Sequence, residues 1–203
     1  MKKVIENKTV NLRGLRIMPL TPSRWNDLVT LFGERGACAG CWCMWWRLKR
    51  STWSSQKGDG NMKALKSLVT RGKPPGLLAY LGKTPVGWCA IAPREDYVAL
   101  EKSRILKKID DLPVWSVVCF FVAKPYRRLG ITTALLTAAV QFAARNGASA
   151  VEGYPSDPKS NQLDVFVFTG LQSAFRKAGF REVARRSPGR PIMRYVINST
   201  RKK

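Results

Sequence analysis

The chain contains no histidine among its 203 residues. Histidine-based catalytic triads and histidine-ligated metal sites are therefore excluded. A catalytic acid or base must instead come from a carboxylate, a chain of waters, or a lysine, tyrosine or cysteine with a shifted pKa. This absence directs the search for reactive groups to the few acidic residues and to the tyrosines.

Acidic residues are scarce, with 13 Asp and Glu against 36 Lys and Arg and a net charge of +23. Such a charge attracts polyanions, so nucleic acid and a phosphate-rich cofactor are both candidate partners. The basic residues are scattered along the chain, which is typical of a solvated surface. No zinc finger, aromatic RNA-binding signature or basic zipper is visible. Charge alone therefore predicts weak, nonspecific binding of nucleic acid.

The sequence also lacks a long apolar run. No segment approaches the roughly 20 residues that cross a bilayer. The start, MKKVIENKTVNLRG, has no apolar core like that of a signal peptide. We therefore expect a cytoplasmic protein with no membrane partner. The five cysteines are odd in number and accompany no secretory signal, so reduced thiols are expected.

The length and composition fit one domain, since 45% of the residues are hydrophobic and 24% are charged. We predict a single domain over residues 1–203, with its core at about 13–197 and a basic tail at 199–203. Periodicity and turn signals give the order strand, two helices, three strands, helix, strand, helix and two strands. This order indicates an α/β (α+β) protein with a mixed, largely antiparallel sheet.

The stretch VAKPYRRLGIT, residues 122–132, joins an apolar strand to a long amphipathic helix. A glycine turn at a helix start exposes backbone N–H groups, and the helix dipole adds partial positive charge there. This geometry binds phosphate. Gly130 lets the backbone approach a ligand, while Arg127 and Arg128 can add charged hydrogen bonds. The stretch predicts a site for a pyrophosphate or another polyphosphate, although an arginine pair beside a glycine also occurs in plain basic turns.

The same stretch resembles the cofactor loop of the GNAT acyltransferase superfamily, with the pattern Arg/Gln-x-x-Gly-x-Gly/Ala. Arg127, Gly130 and Thr132 occupy its three defining positions, and Thr132 departs from the usual small residue. Downstream, FRKAGFREVAR (175–185) is similar to the superfamily's Tyr-x-x-x-Gly-Phe segment. The resemblance spans roughly residues 13–197. The Cys-Trp-Cys-Met segment, in addition, resembles that of a group of uncharacterised GNAT-like proteins.

The resemblance implies a GNAT fold with helices on both faces of the sheet and two splayed parallel strands near its centre, here 114–123 and 148–154. It implies acetyl-CoA as the donor, with its pyrophosphate on the helix start and its pantetheine arm along the first of these strands. A backbone N–H near Phe121 or Val122 would polarise the thioester carbonyl and stabilise an oxyanion. The cofactor-binding residues so predicted are Phe120, Phe121, Val122, Arg127, Arg128, Leu129, Gly130, Ile131, Thr132 and Thr133. No metal is expected.

The catalytic acid and base that the resemblance implies are missing from their usual positions in this sequence. Phe175 stands where relatives carry a tyrosine that protonates the leaving thiolate, so Tyr154 is the first substitute, with Tyr126 or solvent as others. The strand before the loop has no carboxylate, so Glu152 is the first candidate for the base. Burial among apolar residues would raise its pKa, unless it pairs with an arginine or faces solvent. Glu95 is the second candidate, and water bound beside a well-positioned amine is a third.

The run CAGCWCMWWR, residues 38–47, holds three cysteines and three tryptophans. It could bind a metal, pack in the core, or form a wall of the acceptor site. Zinc usually needs a fourth ligand from a second pair, which argues against the metal. In GNAT-like proteins this segment commonly lines the acceptor site. We therefore predict that Trp42, Trp45 and Trp46, together with Glu95, contact the acceptor.

The sequence thus predicts an N-acetyltransferase that transfers the acetyl group of acetyl-CoA to a small-molecule or peptide amine by direct attack in a ternary complex. The alternative is a nucleic-acid-associated protein on the same fold with little or no catalysis. Either protein could be a monomer or a homodimer.

Overall fold

The computed structural model describes residues 12–157 and 167–197. The predicted basic tail at 199–203 lies outside these residues. The strands are Leu15–Pro19 (β1), Gly76–Leu81 (β2), Thr84–Pro93 (β3), Val114–Val122 (β4), Ala150–Gly153 (β5), Arg181–Arg185 (β6) and Pro191–Val196 (β7). The helices are Trp25–Phe32 (α1), Arg50–Ser55 (α2), Asp59–Thr70 (α3), Val98–Glu101 (α4), Ile131–Arg145 (α5) and Gln172–Lys177 (α6). Short 3-10 turns cover Pro22–Arg24, Arg94–Asp96 and Lys124–Tyr126.

Within the described residues the strands form one seven-stranded sheet in the order β1-β2-β3-β4-β5-β7-β6. The pair β4 and β5 is parallel, and the other neighbouring pairs are antiparallel. The parallel pair needs a crossover, and α5 supplies it. The predicted fold class is thereby confirmed, including the mixed, largely antiparallel sheet.

Helices cover both faces of the sheet and divide the core into two parts. On one face α1 and α3 pack with residues such as Leu28 and Leu65. On the other face α5 packs with Leu135 and Leu136, and α6 packs with Phe175. Because both faces are covered, the central strands are nearly continuous apolar runs, as in WSVVCFFV. We call the first face the α1 face and the second the α5 face.

The two parallel strands separate after a short pairing. Their register runs from Val114 with Ala150 to Val117 with Gly153. The rest of β4, through Val122, extends beyond the end of β5. The predicted split between the central strands is therefore present, with one edge of β4 left without a strand partner in the described part of the chain.

A bulge in β4 lies at the start of this split. Ala90 of β3 pairs with Cys119, whereas Ile91 pairs with Val117, so Val118 is the extra residue. Both Val118 and Cys119 consequently pack on the α1 face. A bulge of this kind re-aims side chains next to it, and here it turns the Cys119 thiol toward α1 and its loop.

Candidate active site

The loop between β4 and α5 contains two residues with left-handed backbone. Arg128 has φ of +64° and Gly130 has φ of +85°. Glycine adopts this conformation without strain, whereas a residue with a Cβ pays roughly 1–2 kcal/mol. A non-glycine residue held in this region is often part of a functional site. The two residues flank Leu129 and turn the chain directly into the helix.

Among the described residues, no side chain caps the N-terminus of α5, and no acidic residue lies in its first turn. Its first backbone hydrogen bond runs from Ala134 N–H to Gly130 O, at 3.1 Å. The N–H groups of Ile131, Thr132 and Thr133 precede that bond and receive no intrahelical partner. Together with the dipole of a 15-residue helix, they form an anion-binding end. This is the site that the sequence predicted for a pyrophosphate.

The Arg127 side chain holds this loop against the end of β4. Its Nε donates to the carbonyl oxygen of Val122 at 3.1 Å. Arg128 is exposed on the same loop. The loop therefore has one arginine that bonds to the strand and one that extends into solvent beside the helix end.

The free edge of β4 offers the main-chain groups of alternate residues. Ala123 N–H donates to Val86 O on β3, at 3.0 Å, so the backbone N–H of Phe121, two residues earlier, also points toward β3. The backbone N–H groups of Phe120 and Val122 point the other way, into the split. Of the two backbone donors that the sequence proposed for the thioester carbonyl, the structure thus favours Val122 over Phe121.

A chain segment beyond β5 lies against this edge. Phe168 O accepts a hydrogen bond from Phe120 N–H at 2.6 Å. Ser156 and Leu171 form an isolated parallel bridge, which holds the segment beside the end of β5. This contact could not be predicted, because residues 167–171 carry neither strand periodicity nor a recognisable motif.

Glu152 and Tyr154, the predicted base and acid, lie in a buried polar network on the α1 face. Their exposed fractions are 1% and 0%. Glu152 Oε1 accepts hydrogen bonds from Arg194 Nη2 at 2.6 Å and from Nε at 3.0 Å. Glu152 Oε2 lies 3.1 Å from the Tyr154 hydroxyl and 3.7 Å from Arg94 Nη1. The arginine pairing that the sequence left open for Glu152 is therefore observed.

The Tyr154 hydroxyl is held by three partners. It accepts from Arg94 Nη1 at 2.6 Å and lies 2.9 Å from Ser116 Oγ, in addition to its contact with Glu152. Burial, reinforced by the Glu152 carboxylate, raises the pKa of Tyr154 well above its ordinary value. This tyrosine keeps its proton at physiological pH and is a weaker acid than a free tyrosine.

Arg94 and Arg194 extend this network to a surface segment. Arg94 Nη2 donates to Leu106 O at 2.7 Å, and Arg194 bonds both carboxylate oxygens of Asp110 at 2.7 and 3.0 Å. The two arginines thereby tie the segment after α4 to the centre of the sheet. Sequence reasoning missed both arginines, because nothing in a basic chain distinguishes a buried arginine from an exposed one.

Phe175, at the position of the missing acid, is a core residue. It is fully buried and packs edge-to-face with Phe120 and Phe180 at centroid distances of 6.1 and 5.1 Å. A Cβ built on Gly153 would lie 2.0 Å from the Phe175 ring. The glycine thus allows the phenyl ring to lie directly on β5.

The three tryptophans of the cysteine-rich run have different environments. Trp42 is 5% exposed and stacks on Trp25 at 6.1 Å with an interplanar angle of 17°. Its packing is that of a core residue, which the sequence had left open. Trp46 is half-buried, and Trp45 is half-buried beneath the guanidinium of Arg50, 3.4 Å from the ring centroid.

The tryptophan run lies beside the segment that carries Glu95. Ala99 N–H donates to Trp46 O at 3.0 Å, and Arg47 forms an ion pair with Asp96 at 3.2 Å. Glu95 is exposed next to that pair. The structure thus places Trp46 beside the segment that carries Glu95. The Trp45 ring packs on Trp53 of α2, with 4.6 Å between ring centroids, and Trp42 lies in the core.

Two further findings bear on the kind of site. Within residues 12–157 and 167–197, no group of three or more Cys, Asp or Glu side chains is arranged to hold a metal ion. No helix in those ranges is long and apolar enough to span a bilayer.

Comparison with known proteins identifies the family. The model of the acetyltransferase (GNAT) family matches residues 42–162. No curated protein sequence matches the chain.

Several solved structures share the fold. The PaiA N-acetyltransferase of Thermoplasma acidophilum, solved in complex with coenzyme A, aligns with a TM-score of 0.51 at 15% identity, covering 90% of this chain and 99% of that one. A GNAT-family acetyltransferase of Streptococcus agalactiae gives a TM-score of 0.54 at 12% identity, covering 91% and 96%. One of Listeria monocytogenes gives 0.55 at 7% identity, covering 90% and 95%. At these identities the likeness concerns the fold.

Proposed function

Since the chain belongs to the acetyltransferase (GNAT) family and is an acetyl-CoA-dependent N-acetyltransferase, we propose that it acetylates a primary amine by direct attack in a ternary complex. The observation that carries this proposal is the uncapped N-terminus of α5. It is entered through left-handed residues at positions 128 and 130 and lies beside the free edge of β4. An anion-binding helix end next to an open strand edge suits a long ligand with a pyrophosphate at one end.

The residues around the α5 terminus fit a pyrophosphate. The N–H groups of Ile131, Thr132 and Thr133 would hold its oxygens, and Gly130 leaves the approach to them open. A Cβ built on Gly130 would have Leu12 as its nearest neighbour among the described residues, at 3.9 Å, so none of these residues crowds the glycine. The exposed Arg128 guanidinium would add a charged donor, and Arg127 would keep the loop against β4.

The edge of β4 fits an extended chain with amide groups. Val122 N–H points into the split and would serve as the donor to a carbonyl oxygen. Phe120 N–H points the same way but is bonded to Phe168 O. A ligand that bonds at Phe120 must therefore replace this carbonyl, and displacement of the 167–171 segment would accompany binding.

Acetyl-CoA supplies a thioester, whose thiolate is a good leaving group, so the chain's own contribution is chiefly positioning. Glu152 and Tyr154 were proposed as base and acid, yet both are enclosed by arginines and by each other. Their contacts favour a role in holding β5 and the segment after α4 in place. We therefore assign the amine's proton to solvent water. Tyr126, half-buried in the cofactor loop, is the remaining tyrosine candidate for the acid.

The acceptor would approach the α1 face near Trp45, Trp46 and Glu95. An exposed carboxylate on a segment that adjoins the tryptophan run suits a protonated amine. The basic surface around it disfavours small polycations. We propose that the acceptor is an amine carried on an apolar or anionic molecule.

An acceptor screen tests this function. Purified protein, acetyl-CoA and a panel of primary amines would be followed by release of free CoA thiol. Acceptor-dependent release that saturates in both substrates, with formation of the acetylated amine by mass spectrometry, is the expected result. Thiol release that no amine of the panel increases, from protein that binds acetyl-CoA, would contradict the assignment of the acceptor as a primary amine.

The alternative function, nucleic-acid association with little catalysis, rests on the net charge of +23. It predicts binding that falls steeply as salt rises. The two functions are compatible in one molecule. Elution from heparin and from immobilised CoA at rising salt distinguishes their contributions.

A further inference from the structure

Two cysteines that are far apart in sequence lie in contact beneath the proposed acceptor region. Cys43 Sγ and Cys119 Sγ are 3.2 Å apart, although their positions differ by 76 in the sequence. Their exposed fractions are 4% and 8%. Cys43 belongs to the loop after α1, and Cys119 is the residue that the β4 bulge turns toward that loop. The contact therefore joins the loop to the strand that borders the split.

The hydrogen bonds around the two sulfurs can form one continuous chain. Trp88 Nε1 donates to Cys43 Sγ at 3.1 Å, and an indole N–H can only donate. Cys43 can then donate its S–H to Cys119 Sγ, while Cys119 can donate to Phe120 O at 3.9 Å. In this arrangement each sulfur accepts one hydrogen bond, Cys43 from Trp88 and Cys119 from Cys43. Cys119 is the more exposed of the two residues, so a small oxidant reaches it first. The same contact with Cys119, together with burial, raises the pKa of the Cys43 thiol.

The loop that carries Cys43 is held in an unusual backbone conformation. Trp42 and Cys43 have φ of +46° and +52°, and Ala37 and Ala39 also have positive φ. Such residues are rare outside glycine and persist only where the surroundings hold them. Here the stacking of Trp42 on Trp25 and the Cys43 contacts hold the loop. The backbone thus places the Cys43 sulfur against Cys119.

We propose that Cys43 and Cys119 are a redox-active dithiol that forms a reversible disulfide, cross-linking the loop after α1 to β4. The sulfurs must approach by only about 1 Å to reach a disulfide bond length of about 2.05 Å. Cys89 is excluded as a partner, because it is packed on the α5 face of the sheet.

The oxidant is a hydroperoxide, small enough to reach a sulfur that is mostly buried. The Cys119 thiolate attacks a peroxide oxygen and forms a sulfenic acid, while the other peroxide oxygen leaves as water or an alcohol. The Cys43 thiolate then attacks the sulfenic sulfur, forming the S–S bond and releasing the second oxygen as water. Two thiols lose two electrons and two protons, and one peroxide is reduced. A small thiol reductant reverses the reaction by exchange.

The disulfide would stiffen the loop beside the acceptor region and the residue that precedes Phe120. Its formation does not depend on acetyl-CoA, whereas any effect on acetyl transfer rests on the proposed function. A map of the cross-link therefore tests this inference separately from a CoA-binding assay. Protein that binds CoA but never forms the disulfide would show that the redox proposal alone has failed. Protein that forms the disulfide but does not bind CoA would show that the proposed function alone has failed.

The test begins with the wild-type protein treated with hydrogen peroxide, denatured with a thiol-blocking reagent and digested with trypsin without reduction. The expected product joins the peptide of residues 36–47 to that of residues 109–127, with two hydrogens fewer than the separate peptides. Since the first peptide holds Cys38, Cys41 and Cys43, the Cys38→Ser/Cys41→Ser double variant must keep the link and Cys43→Ser must lose it. Cys89→Ser is the matched buried control and must keep it.

Two other results would overturn the proposal. One is recovery of both peptides with Cys43 and Cys119 blocked as free thiols after peroxide treatment of folded wild-type protein. The other is a link that Cys43→Ser retains. Because wild-type protein alone decides the first outcome, misfolding of a variant leaves the test intact. Circular dichroism of each variant identifies those that have lost the fold.

Thermal unfolding gives a second readout. A disulfide that closes a loop of this length should raise Tm by about 5–15 °C relative to the reduced protein. Dithiothreitol should reverse the increase, and Cys43→Ser should show none. Equal Tm values for fully cross-linked and reduced wild-type protein would contradict a cross-link between the loop and the sheet.

Discussion

Arg128 combines a backbone conformation that favours glycine with a charged side chain that glycine lacks. Its φ of +64° is a conformation that a glycine would adopt more easily. Its guanidinium is exposed beside the α5 terminus. We interpret the residue as keeping a strained backbone so that its charge lies beside the proposed pyrophosphate site.

The Arg128→Gly variant tests this interpretation. Relief of the left-handed strain should stabilise the fold by up to about 1 kcal/mol, while loss of a charged hydrogen bond should weaken CoA binding about tenfold. Urea denaturation and calorimetric titration measure the two effects. Ala39→Gly, at a φ of +47° away from α5, is the control and should only stabilise. Unchanged CoA affinity in Arg128→Gly would show that this arginine does not contact the ligand.

Glu152 was predicted from its residue type in an apolar strand, and that prediction shows what sequence reasoning can and cannot reach. A lone carboxylate in AVEGYP is visible, but its partners Arg94 and Arg194 are distant in sequence. Only the folded sheet brings them together. The same limit applies to Cys43 and Cys119. In contrast, the α5 start was predictable because strand, turn and helix are contiguous.

At the scale of elements, the buried network ties β5, β7 and the segment after α4 together, and Glu152 is its centre. Glu152→Gln should lower the free energy of unfolding by about 3 kcal/mol, because Arg194 and Arg94 then lose a buried counter-charge. Glu182→Gln, which breaks a half-exposed pair with Arg185, should cost no more than about 1 kcal/mol. A Glu152→Gln protein with wild-type stability and no activity would instead support the catalytic role that the sequence predicted.

Asp110, at the surface end of this network, should make the stability of the fold depend on pH. Hydrogen bonds from Arg194 lower the pKa of Asp110 below its ordinary value. A group with a lowered pKa in the folded state contributes stability at higher pH, and that contribution is lost as pH falls through and below about 4. Asp110→Asn should therefore lose less stability than wild type between about pH 5 and pH 3. Asp111→Asn, one residue further along, should behave as wild type, and equal acid sensitivity in all three would contradict the role of Asp110.

The order of strands and helices followed the sequence closely because periodicity and glycine turns mark most elements. The strands β2, β3 and β4 are apolar runs, and α5 has its apolar stripe between a left-handed glycine at each end, Gly130 and Gly147. Helix α2 was not predicted, since RSTWSS is polar with a single large apolar residue. The position of 167–171 against β4 was also unpredictable, because it depends on a backbone contact without a sequence pattern.

The whole molecule carries a charge of +23, which acts over longer distances than any single contact. We expect retention on heparin at low ionic strength and release as salt rises, because the interaction is with a dispersed surface. Binding to immobilised CoA should survive the salt that releases heparin, since the α5 terminus supplies directed backbone donors. Heparin binding that outlasts CoA binding in a salt gradient would favour the nucleic-acid-associated function.

The central claim is that the start of α5 binds the pyrophosphate of CoA, and one calorimetric comparison tests it most directly. Gly130 and Gly147 both have left-handed backbone, with φ of +85° and +79°, and no described residue is close enough to either to clash with a Cβ. They lie at opposite ends of the same helix. Gly130→Ala and Gly147→Ala should therefore each lose about 1 kcal/mol of stability.

Titration of CoA into wild type and the two variants should give saturable binding to wild type and to Gly147→Ala with equal affinity. Gly130→Ala should bind at least about tenfold more weakly, because its Cβ and altered turn disturb the N–H groups that hold the phosphate. The account is contradicted if wild type shows no saturable binding, or if the two variants bind CoA with the same affinity.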